Sequence, residues 1–542
     1  MTSRKTALLM GAGASRDAGL PLTVELAEMI VQRANDPLPT YSRGRDAWVT
    51  ALNFAYGAMM GHQSEDGGNP LEAVNIERLI SAIRLLQDVE SHEAAPFVLS
   101  WKGGVHNLPS SLAQSGFGHD GERLVKAISE AARGRAFAGR DVEKAVAAIV
   151  SKASTPTLGA GQTFKRAEET ILVELARILS DLGSVDYLKP IADLALQQDG
   201  GVDVLTLNYD LSVEQMALHV PEVSIRHGIE DWQPGKALVF PEERGRINLL
   251  KMHGSLNWEK QESRRKMQPG AIRTTQIDSA ENGGSPHRQM KPWIIVGDRE
   301  KLATDGPTLY LFAAAQEMLS RTDHLVVVGY AFGDGHVNNL VRDWMAGDVH
   351  RTVTLVDPAL KSGLGERDSF HACLADEYGA TERTSFASRV GIIGDTASNG
   401  LKRALQYMHP GPIEPAAYFD VAQLPDEGEF RRLKVACNGP SVSGLRVTVS
   451  LRDPVDDRVS PVDAGSSKAE LSRRLEEKGN SAGYSYSVAE LGQLDKGSRA
   501  TVYFRSSASG EAEVRIEAGR GDAPHGIHLI HRLALTSPPE SE

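Results

Sequence analysis

Short apolar runs that end abruptly in polar residues constrain this chain more than any other feature. Residues 202–207 form a β-branched run that breaks into Asn208-Tyr209-Asp210, and residues 247–252 form a second run that breaks into His253-Gly254-Ser255. Both runs have the length and composition of a buried strand. Because ligands bind beyond the carboxyl ends of the strands in open α/β sheets, we expect Asn208, Asp210 and His253 to share one site.

A third apolar run, residues 7–10, leads directly into Gly11-Ala12-Gly13-Ala14-Ser15, and an amphipathic helix follows at about residues 22–33. A strand, a glycine turn and a helix often form a cradle for phosphate, because glycines let the backbone approach a pyrophosphate closely. Arg16 stands where the third glycine of the usual dinucleotide motif would fall. Taken alone, the two glycines are also compatible with a tight turn that binds no ligand.

The remaining runs complete an α/β pattern with a helical insertion. Further strands are expected at residues 292–296, 324–329 and 353–358, the last carrying Asp357, a natural ligand for a ribose hydroxyl. Apolar residues at helical spacing predict helices at 74–86, 142–153, 170–182 and 309–319, whereas residues 61–70, 91–114 and 155–162 have the composition of loops. We therefore expect an α/β fold in which helices at about residues 46–181 interrupt the strands.

Four motifs in a fixed order resemble those of the SIR2 family, and of its bacterial SIR2-like branch more than of its protein deacetylases. They are Gly11-Ala12-Gly13-Ala14-Ser15 with Gly19 and Pro21, then Asn208-Tyr209-Asp210, then His253-Gly254-Ser255, then Gly329-Tyr330-Ala331-Phe332-Gly333-Asp334 with His336 and Asn338. The resemblance covers about residues 1–405 and is loosest in the inserted helices. It implies a Rossmann-like parallel sheet that binds NAD and cleaves nicotinamide from the ribose.

The resemblance also implies roles for individual residues. The pyrophosphate would be held by Gly11, Ala12, Gly13 and Ser15, with Gly329 and Tyr330 on the cofactor side. The nicotinamide ribose would face Asn208 and Asp210, and the general base would be His253. These residue types suit the chemistry, because cleavage of the glycosidic bond builds positive charge on the ribose and needs a base. An amide both donates and accepts hydrogen bonds, and an imidazole exchanges a proton near neutral pH.

Each motif alone has a simpler structural explanation. Asn208 is also a common turn residue, Asp210 also suits the N-cap of a helix that begins near Ser212, and His253-Gly254-Ser255 is also a common strand-end turn. The Tyr330 motif is also compatible with a capping loop, with Asp334 and His336 in oligomer contacts. The expectation of a site therefore rests on the ordered set of motifs.

Two departures from the deacetylases bear on the reaction. Deacetylases carry two cysteine pairs for zinc after the histidine motif, whereas this chain has no cysteine between His253 and Cys373. The Asp-Phe-Arg that commonly follows the first motif is also missing, since Leu22-Thr23 stands after Pro21. Water is therefore the expected acceptor, and nicotinamide and ADP-ribose are the expected products. The resemblance implies an NAD+ hydrolase that depletes cellular NAD+ in anti-phage defence; the alternatives are a non-catalytic sensor of NAD, a deacylase and an ADP-ribosyl transferase.

The composition changes after about residue 405. A linker rich in proline and glycine is expected at 406–418, and alternating runs at 445–451, 500–504, 512–516 and 527–530 predict strands, interrupted by a helix at 467–478. We interpret residues 419–542 as an all-β, sandwich-like domain for recognition or assembly.

Whole-chain properties are those of a soluble, cytoplasmic protein. A length of 542 residues calls for more than one domain, and 41% hydrophobic with 24% charged residues is typical of globular proteins. A net charge of -12 disfavours binding to nucleic acid, and the two distant cysteines, Cys373 and Cys437, favour a reducing compartment. No apolar stretch reaches the roughly 20 residues of a membrane span. We expect NAD+ as substrate, no metal, a homo-oligomer, and control by a partner protein or a phage-derived trigger.

Overall fold

The computed structural model describes residues 5–35, 45–65, 74–87, 160–230, 232–233, 235–260, 272–274, 292–295, 307–348, 350–359, 389–406, 418–452, 459–478, 488–506, 510–520 and 526–535. The helix predicted at 142–153, the loop predicted at 91–114 and the interior of the expected linker lie outside these residues. None of the helices within the described ranges combines the length and the apolar character needed to cross a membrane.

Strands and helices alternate along the described chain up to residue 406. The strands are β1 (Thr6–Met10), β2 (Val202–Thr206), β3 (Ser224–Arg226), β4 (Arg246–Lys251), β5 (Gly254–Lys260), β6 (Ile272–Thr274), β7 (Pro292–Ile294), β8 (His324–Val328), β9 (Thr352–Val356) and β10 (Val390–Ile393). The helices are α1 (Thr23–Asn35), α2 (Arg45–Glu65), α3 (Ile76–Gln87), α4 (Ala160–Leu179), α5 (Lys189–Gln197), α6 (Ser212–Leu218), α7 (Thr308–Ser320), α8 (Gly335–Gly347) and α9 (Ala397–Gln406). Two further segments, Ala12–Ala18 and Asp186–Leu188, are 3-10 helices.

Seven of these strands form one parallel sheet in the order β10-β9-β8-β1-β2-β4-β3. β1 lies between β2 and β8, with Leu8 opposite both Val204 and Val326. The chain first adds β2, β4 and β3 on one side of β1 and then adds β8, β9 and β10 on the other, so the strand order reverses between β1 and β8. In sheets of this kind the ligand crevice lies at that reversal, outside the carboxyl ends of the strands.

The sheet is covered on both faces, which explains why its strands are continuous apolar runs. Leu9 packs with α7 and α8 on one face, whereas Leu8 and Met10 pack with α5, α6 and α9 on the other. Every residue of β1, β2, β8 and β9 is buried. The Rossmann-like sheet expected from the sequence is confirmed, and its predicted strands lie within two residues of the observed bounds.

Helices α1 to α4 pack around a separate apolar core that reaches the loops beyond the sheet. Tyr209 and Leu211, which follow β2, and Leu256 and Ile294, from β5 and β7, are buried members of this core. The inserted helices and the loops at the strand ends therefore share one core. A substitution that alters the packing of one part shifts the position of the other.

Two boundaries of the inserted helices differ from the prediction. α2 continues to Glu65, although residues 61–70 have loop composition, and α4 begins at Ala160, ten residues before the predicted start. A single glycine such as Gly61 costs a helix only about 1 kcal/mol. Packing of the apolar side of a long helix outweighs that cost, and composition alone does not reveal the packing.

Beyond residue 418 the described chain forms antiparallel sheets. The elements are β11 (Phe419–Glu427), β12 (Phe430–Cys437), β13 (Val442–Arg452), β14 (Val459–Val462), β15 (Ala464–Gly465), α10 (Lys468–Lys478), β16 (Ala489–Leu494), β17 (Arg499–Phe504), β18 (Gly510–Arg520) and β19 (Gly526–Leu535). One sheet has the order β11-β12-β17-β15, the other β14-β13-β18-β19 with β16 paired to β13, and both contribute to one core. β19 also lies beside β10, an edge strand of the parallel sheet. The expected β-rich C-terminal region is confirmed.

Five strands of this region were not predicted, and their sequences explain why. β11 contains a proline and has little alternation, and β12 carries Arg431, Arg432 and Lys434 within eight residues. Arg431 is nonetheless buried, with its guanidinium over the ring of Phe504. Charged residues of this kind mask a strand, since their long side chains bury apolar stems.

Candidate functional site

Ser15, Asn208 and Asp210 form one buried, hydrogen-bonded cluster between the ends of β1 and β2. The side-chain nitrogen of Asn208 donates to the carbonyl of Gly11 at 2.9 Å and to the hydroxyl of Ser15 at 3.0 Å. That hydroxyl in turn donates to Oδ2 of Asp210 at 2.8 Å. Both N–H groups of the amide are thereby used, which leaves the side-chain oxygen of Asn208 to accept a bond from water or a hydroxyl.

Asp210 also bonds the start of α6, although the N-cap of this helix is Leu211 and not Asp210 as the simpler interpretation expected. Its Oδ1 accepts the backbone amide of Ser212, the first residue of α6, at 3.0 Å. The carboxylate therefore joins the start of α6 to the loop after β1, and it is buried while doing so. The bond to α6 and the bond to Ser15 are compatible, because each uses a different oxygen of Asp210.

His253 lies at the end of the neighbouring strand β4 and is buried. Its Nε2 lies 3.1 Å from Oδ2 of Asp334, whereas its Nδ1 has no hydrogen-bond partner within the described part of the chain. Because a carboxylate accepts only, Nε2 carries the proton of a neutral imidazole and Nδ1 carries the lone pair. A buried nitrogen left in this state is expensive for stability and available for proton transfer.

The residue after the histidine has to be glycine. Gly254 has a φ of 80° and opens β5, which lies between β6 and β7 in a small antiparallel sheet. A Cβ at Gly254 would lie 2.3 Å from the carbonyl oxygen of Trp293. Only glycine fits this conformation and this close approach, so the turn that aims His253 depends on it.

Asp334 reaches His253 from the opposite side of the reversal between β1 and β8. Its Oδ1 caps α8 by accepting the amides of His336 and Val337, and its Oδ2 faces His253. Tyr330 and Asn338 brace this capping loop, since the Tyr330 hydroxyl donates to the Asn338 side chain at 2.8 Å. Asp334 is buried inside the chain, which rules out the alternative of an oligomer contact through its side chain.

The two glycine loops lie against each other, backbone to backbone. The amides of Gly11 and Gly13 donate to the carbonyls of Val328 and Gly329 at 3.0 and 2.9 Å, and the amide of Ala14 donates to Gly11. Gly329 has a φ of 59°, and a Cβ there would lie 2.2 Å from the nitrogen of Ala14. These glycines are therefore required by loop packing alone. A pyrophosphate held by Gly11, Ala12 and Gly13 remains a prediction, and the three bonded amides are not free donors for it.

Asp357 follows β9, one strand further along the sheet. Its Oδ1 accepts the amide of Ala359 at 2.8 Å, and burial raises the pKa of its carboxyl above the usual range. Its proposed bond to a ribose hydroxyl stays a prediction. Ala12, for its part, opens the 3-10 helix that leads to Ser15.

A buried ion network lies behind the Asn208 loop. Lys251 is the last residue of β4, and its ammonium donates to the carbonyl of Asp210 and lies 3.0 Å from Glu214. Glu214 also contacts His227, which is paired with Glu230 at 3.1 Å. Burial raises the pKa of Glu214, but the charge of Lys251 and the bond from His227 outweigh it and lower that pKa to about 2. The network therefore holds fixed charges that fasten the backbone at Asp210.

A small cleft lies beside His253 and Asp334. Its lining is mostly apolar and comes from the ends of β4, α7 and α8: Met252, His253, Thr308, Leu311, Phe312, Asp334, His336 and Val337. Pockets that bind small molecules commonly combine such a lining with a few convergent polar groups. Within the described ranges, no group of three or more His, Cys, Asp or Glu side chains is arranged to hold a metal ion.

Sequence reasoning singled out Asn208, Asp210, Ser15 and His253, which the structure places at the strand ends, but it did not single out Lys251 or the contact of Asp334 with His253. Lys251 had a usable signal, since it is the only charged residue in the apolar run 247–252, and a charge inside a buried strand needs partners. Asp334 gave no such signal, because its distance to His253 depends on how two remote loops pack.

The fold and this arrangement define a Rossmann-like α/β protein with its polar site at the carboxyl ends of the strands, where the strand order reverses. Residues 202–371 match the family model of the SIR2-like domain. The chain therefore contains a SIR2-like domain, and the recognition made from the motifs is confirmed.

The other comparisons add little. No curated protein sequence matches the chain. Among solved structures, a β-glucosidase from Erythrobacter marinus aligns at 10% identity over 84% of this chain and 62% of its own, with a TM-score of 0.16. A β-glucosidase from intestinal bacteria, involved in saponin metabolism, aligns at 11% identity over 81% and 66%, with a TM-score of 0.17. The chain spans less than two thirds of either enzyme, and likenesses this weak carry no argument.

Proposed function

We propose that this protein hydrolyses NAD+ to nicotinamide and ADP-ribose. The SIR2-like domain supports a nucleotide substrate of this type. The observation that carries the proposal is His253, a buried imidazole whose Nε2 lies against Asp334 and whose Nδ1 has no hydrogen-bond partner in the described chain. It stands at the strand end next to the one that supplies Asn208 and Asp210.

The reaction joins water to the anomeric carbon of the nicotinamide ribose. The new C–O bond forms as the C–N bond breaks, and the electron pair of the broken bond neutralises the positive charge of the nicotinamide ring. The proton lost by water goes to Nδ1 of His253, the nitrogen that is free to accept it. Asp334 holds Nε2 and stabilises the imidazolium that results.

Asn208 and Asp210 act on the ribose side of this proposal. The Asn208 amide is fixed by two donated bonds, so its oxygen presents a single acceptor to a ribose hydroxyl or to the attacking water. Positive charge develops on the ribose as the bond breaks, and the negative carboxylate of Asp210 stabilises that charge. Fixed groups of this kind accelerate a reaction because they need no reorganisation.

Nicotinamide release from NAD+ by the purified protein tests the proposal. We expect His253→Ala and Asn208→Ala to reduce kcat by at least about 100-fold, the usual contribution of a positioned base. His219→Ala and Asn399→Ala are matched controls, because His219 is exposed just after α6 and Asn399 is exposed on α9. Both variants should keep wild-type activity. Binding of NAD+ without turnover in every condition would identify a sensor instead. Release only with an added peptide or protein acceptor would identify a deacylase or transferase.

We further propose that the hydrolase depletes NAD+ in phage-infected bacterial cells and is restrained until then. The C-terminal sheets, or the inserted helices, would provide the restraint through contacts with further copies or with a partner protein. Cells that carry the wild-type protein should lose NAD+ after infection, and cells that carry His253→Ala should not. Full activity of a purified monomer without any trigger would contradict the restraint while leaving the hydrolase in place.

A further inference from the structure

A carboxylate from the inserted helices reaches the site. Glu77 lies in the first turn of α3, more than 120 residues before β2. Its Oε1 accepts the hydroxyl of Tyr209 at 3.2 Å and lies 4.0 Å from Nδ1 of His253. The nitrogen without a hydrogen-bond partner is therefore the one that Glu77 faces. His253 stands between two carboxylates, Asp334 at Nε2 and Glu77 near Nδ1.

Tyr209 connects Glu77 to the loop that carries the polar cluster. It lies between Asn208 and Asp210, and its ring centre is 6.5 Å from that of His253. Its carbonyl accepts the amide of Leu256 at 3.1 Å. Burial, and then the charge of Glu77, raise the pKa of Tyr209 well above its usual value, so its hydroxyl remains a donor to Glu77. The loop is thus held at its backbone by β5 and at its side chain by α3.

The position of Glu77 is fixed by its own helix. Ile76, Leu79, Ile80 and Ile83 of α3 are fully buried in the core of the inserted helices. Arg84, two turns after Glu77, pairs with Glu168 of α4 at 2.8 Å. A carboxylate on a helix with this packing has little freedom to leave the site, which is the requirement for a group that orients another.

We propose that Glu77 is a positioning residue of this site, holding Tyr209 and facing Nδ1 of His253, so that the inserted helices complete the site that the SIR2-like domain begins. The inference rests on the proposed function and assigns a role outside residues 202–371, where the domain match lies. When His253 takes a proton at Nδ1, the carboxylate 4.0 Å away stabilises the new charge. An amide at position 77 would keep an acceptor for Tyr209 and remove that charge.

Three variants separate these contributions. Glu77→Gln removes the charge and keeps the shape, and Tyr209→Phe removes the hydroxyl and keeps the charge. Glu28→Gln is the matched control, because Glu28 is an exposed carboxylate of α1 whose bond is to Gln32 of the same helix. We expect Glu77→Gln to lower kcat for nicotinamide release about tenfold, as loss of an outer partner of a site residue does. KM should stay within about twofold, since the charge acts on the proton transfer and not on binding. Tyr209→Phe should lose less, and Glu28→Gln should lose nothing.

A second measurement does not depend on turnover. Nitrogen-15 spectra of the histidine rings, with His253 assigned by its absence in His253→Ala, should show a shift of its nitrogens in Glu77→Gln and none in Glu28→Gln. Wild-type kcat together with unshifted His253 resonances in Glu77→Gln would overturn the inference while hydrolysis stands. An inactive wild-type protein would overturn the proposed function, and the resonance shift would still support the placement of Glu77.

Discussion

Polar side chains are buried at both ends of the parallel sheet, but the two ends differ in whether the buried ionisable groups have all their partners. At the amino ends of the strands, Asp203 of β2 is fully buried, and both its oxygens are bonded. Arg321 donates to each oxygen at 2.8 Å, Asn248 donates at 2.8 Å, and Lys5 lies 3.6 Å away. Every ionisable member of this cluster has an oppositely charged partner, which is what a buried charge needs to be tolerated.

At the carboxyl ends, the same two strands leave a buried ionisable group incompletely bonded. β4 carries Asn248 near its start and His253 just past its end, and Nδ1 of His253 has no hydrogen-bond partner in the described chain. Saturated polar groups stabilise a fold, whereas an unsaturated one costs stability and is retained where a ligand or a proton completes it. The difference lies in the ionisable groups, because the amino ends also hold an amide oxygen, Oδ1 of Asn248, that has no hydrogen-bond partner in the described chain.

The largest effect on stability should come from the amino ends of the strands, where Asp203 is paired with Arg321 and Lys5. Asp203→Asn leaves the charges of Arg321 and Lys5 without their buried partner, and we expect the free energy of unfolding to fall by about 3 kcal/mol. Activity per folded molecule should not change. Denaturant unfolding followed by tryptophan fluorescence measures the first quantity, and nicotinamide release the second. Glu242→Gln is the control, because Glu242 contacts the same cations from an exposed position and should cost less than about 1 kcal/mol. A loss of specific activity in Asp203→Asn would show that the cluster at the amino ends also serves the reaction, which would contradict the contrast between the two ends of the sheet.

The network behind the site should give a smaller, pH-dependent effect. The pKa of Glu214 is lowered from 4.5 to about 2 in the folded chain. A carboxyl with a lowered pKa stabilises the fold above its unfolded pKa and loses that contribution as the pH falls towards the folded one. We expect about 2 kcal/mol of the Glu214 contribution to be lost between pH 7 and pH 3. Unfolding of Glu214→Gln should therefore depend less on pH over this range than wild type. Parallel curves for the two proteins would show that Glu214 is not charged in the fold.

A substitution at the carboxyl ends of the strands, beside His253, should affect activity more than stability. Asp334→Asn keeps an oxygen to cap α8 and removes the charge that faces Nε2 of His253. We expect kcat to fall at least about tenfold with little change in unfolding, because asparagine is as good an N-cap as aspartate. Asp348→Asn, at the other end of the same helix and exposed, is the control. A variant that unfolds easily but keeps its kcat would place Asp334 among the structural groups.

Most strands of the parallel sheet could be predicted from the sequence, whereas the 3-10 helix after β1 and the first two C-terminal strands could not. β1, β2, β4, β8 and β9 match their apolar runs because a strand covered on both faces must be apolar throughout. The 3-10 helix Ala12–Ala18 was missed, since the glycines of that stretch indicate only a turn. β11 and β12 were missed because their polar residues hide the alternation that marks a half-buried strand.

The sequence by itself determined the order of the strands along the chain, the polar motifs at their ends and the likeness of those motifs to the SIR2-like domain. Each of these is written locally, within a strand and the few residues after it. Only the tertiary structure decided which strand ends meet, that Asp334 and Glu77 face His253 from two sides, and that Gly11 and Gly13 pack against Gly329. Those pairings join residues tens to hundreds of positions apart, and they follow from how the sheet and the inserted helices bury their apolar faces together.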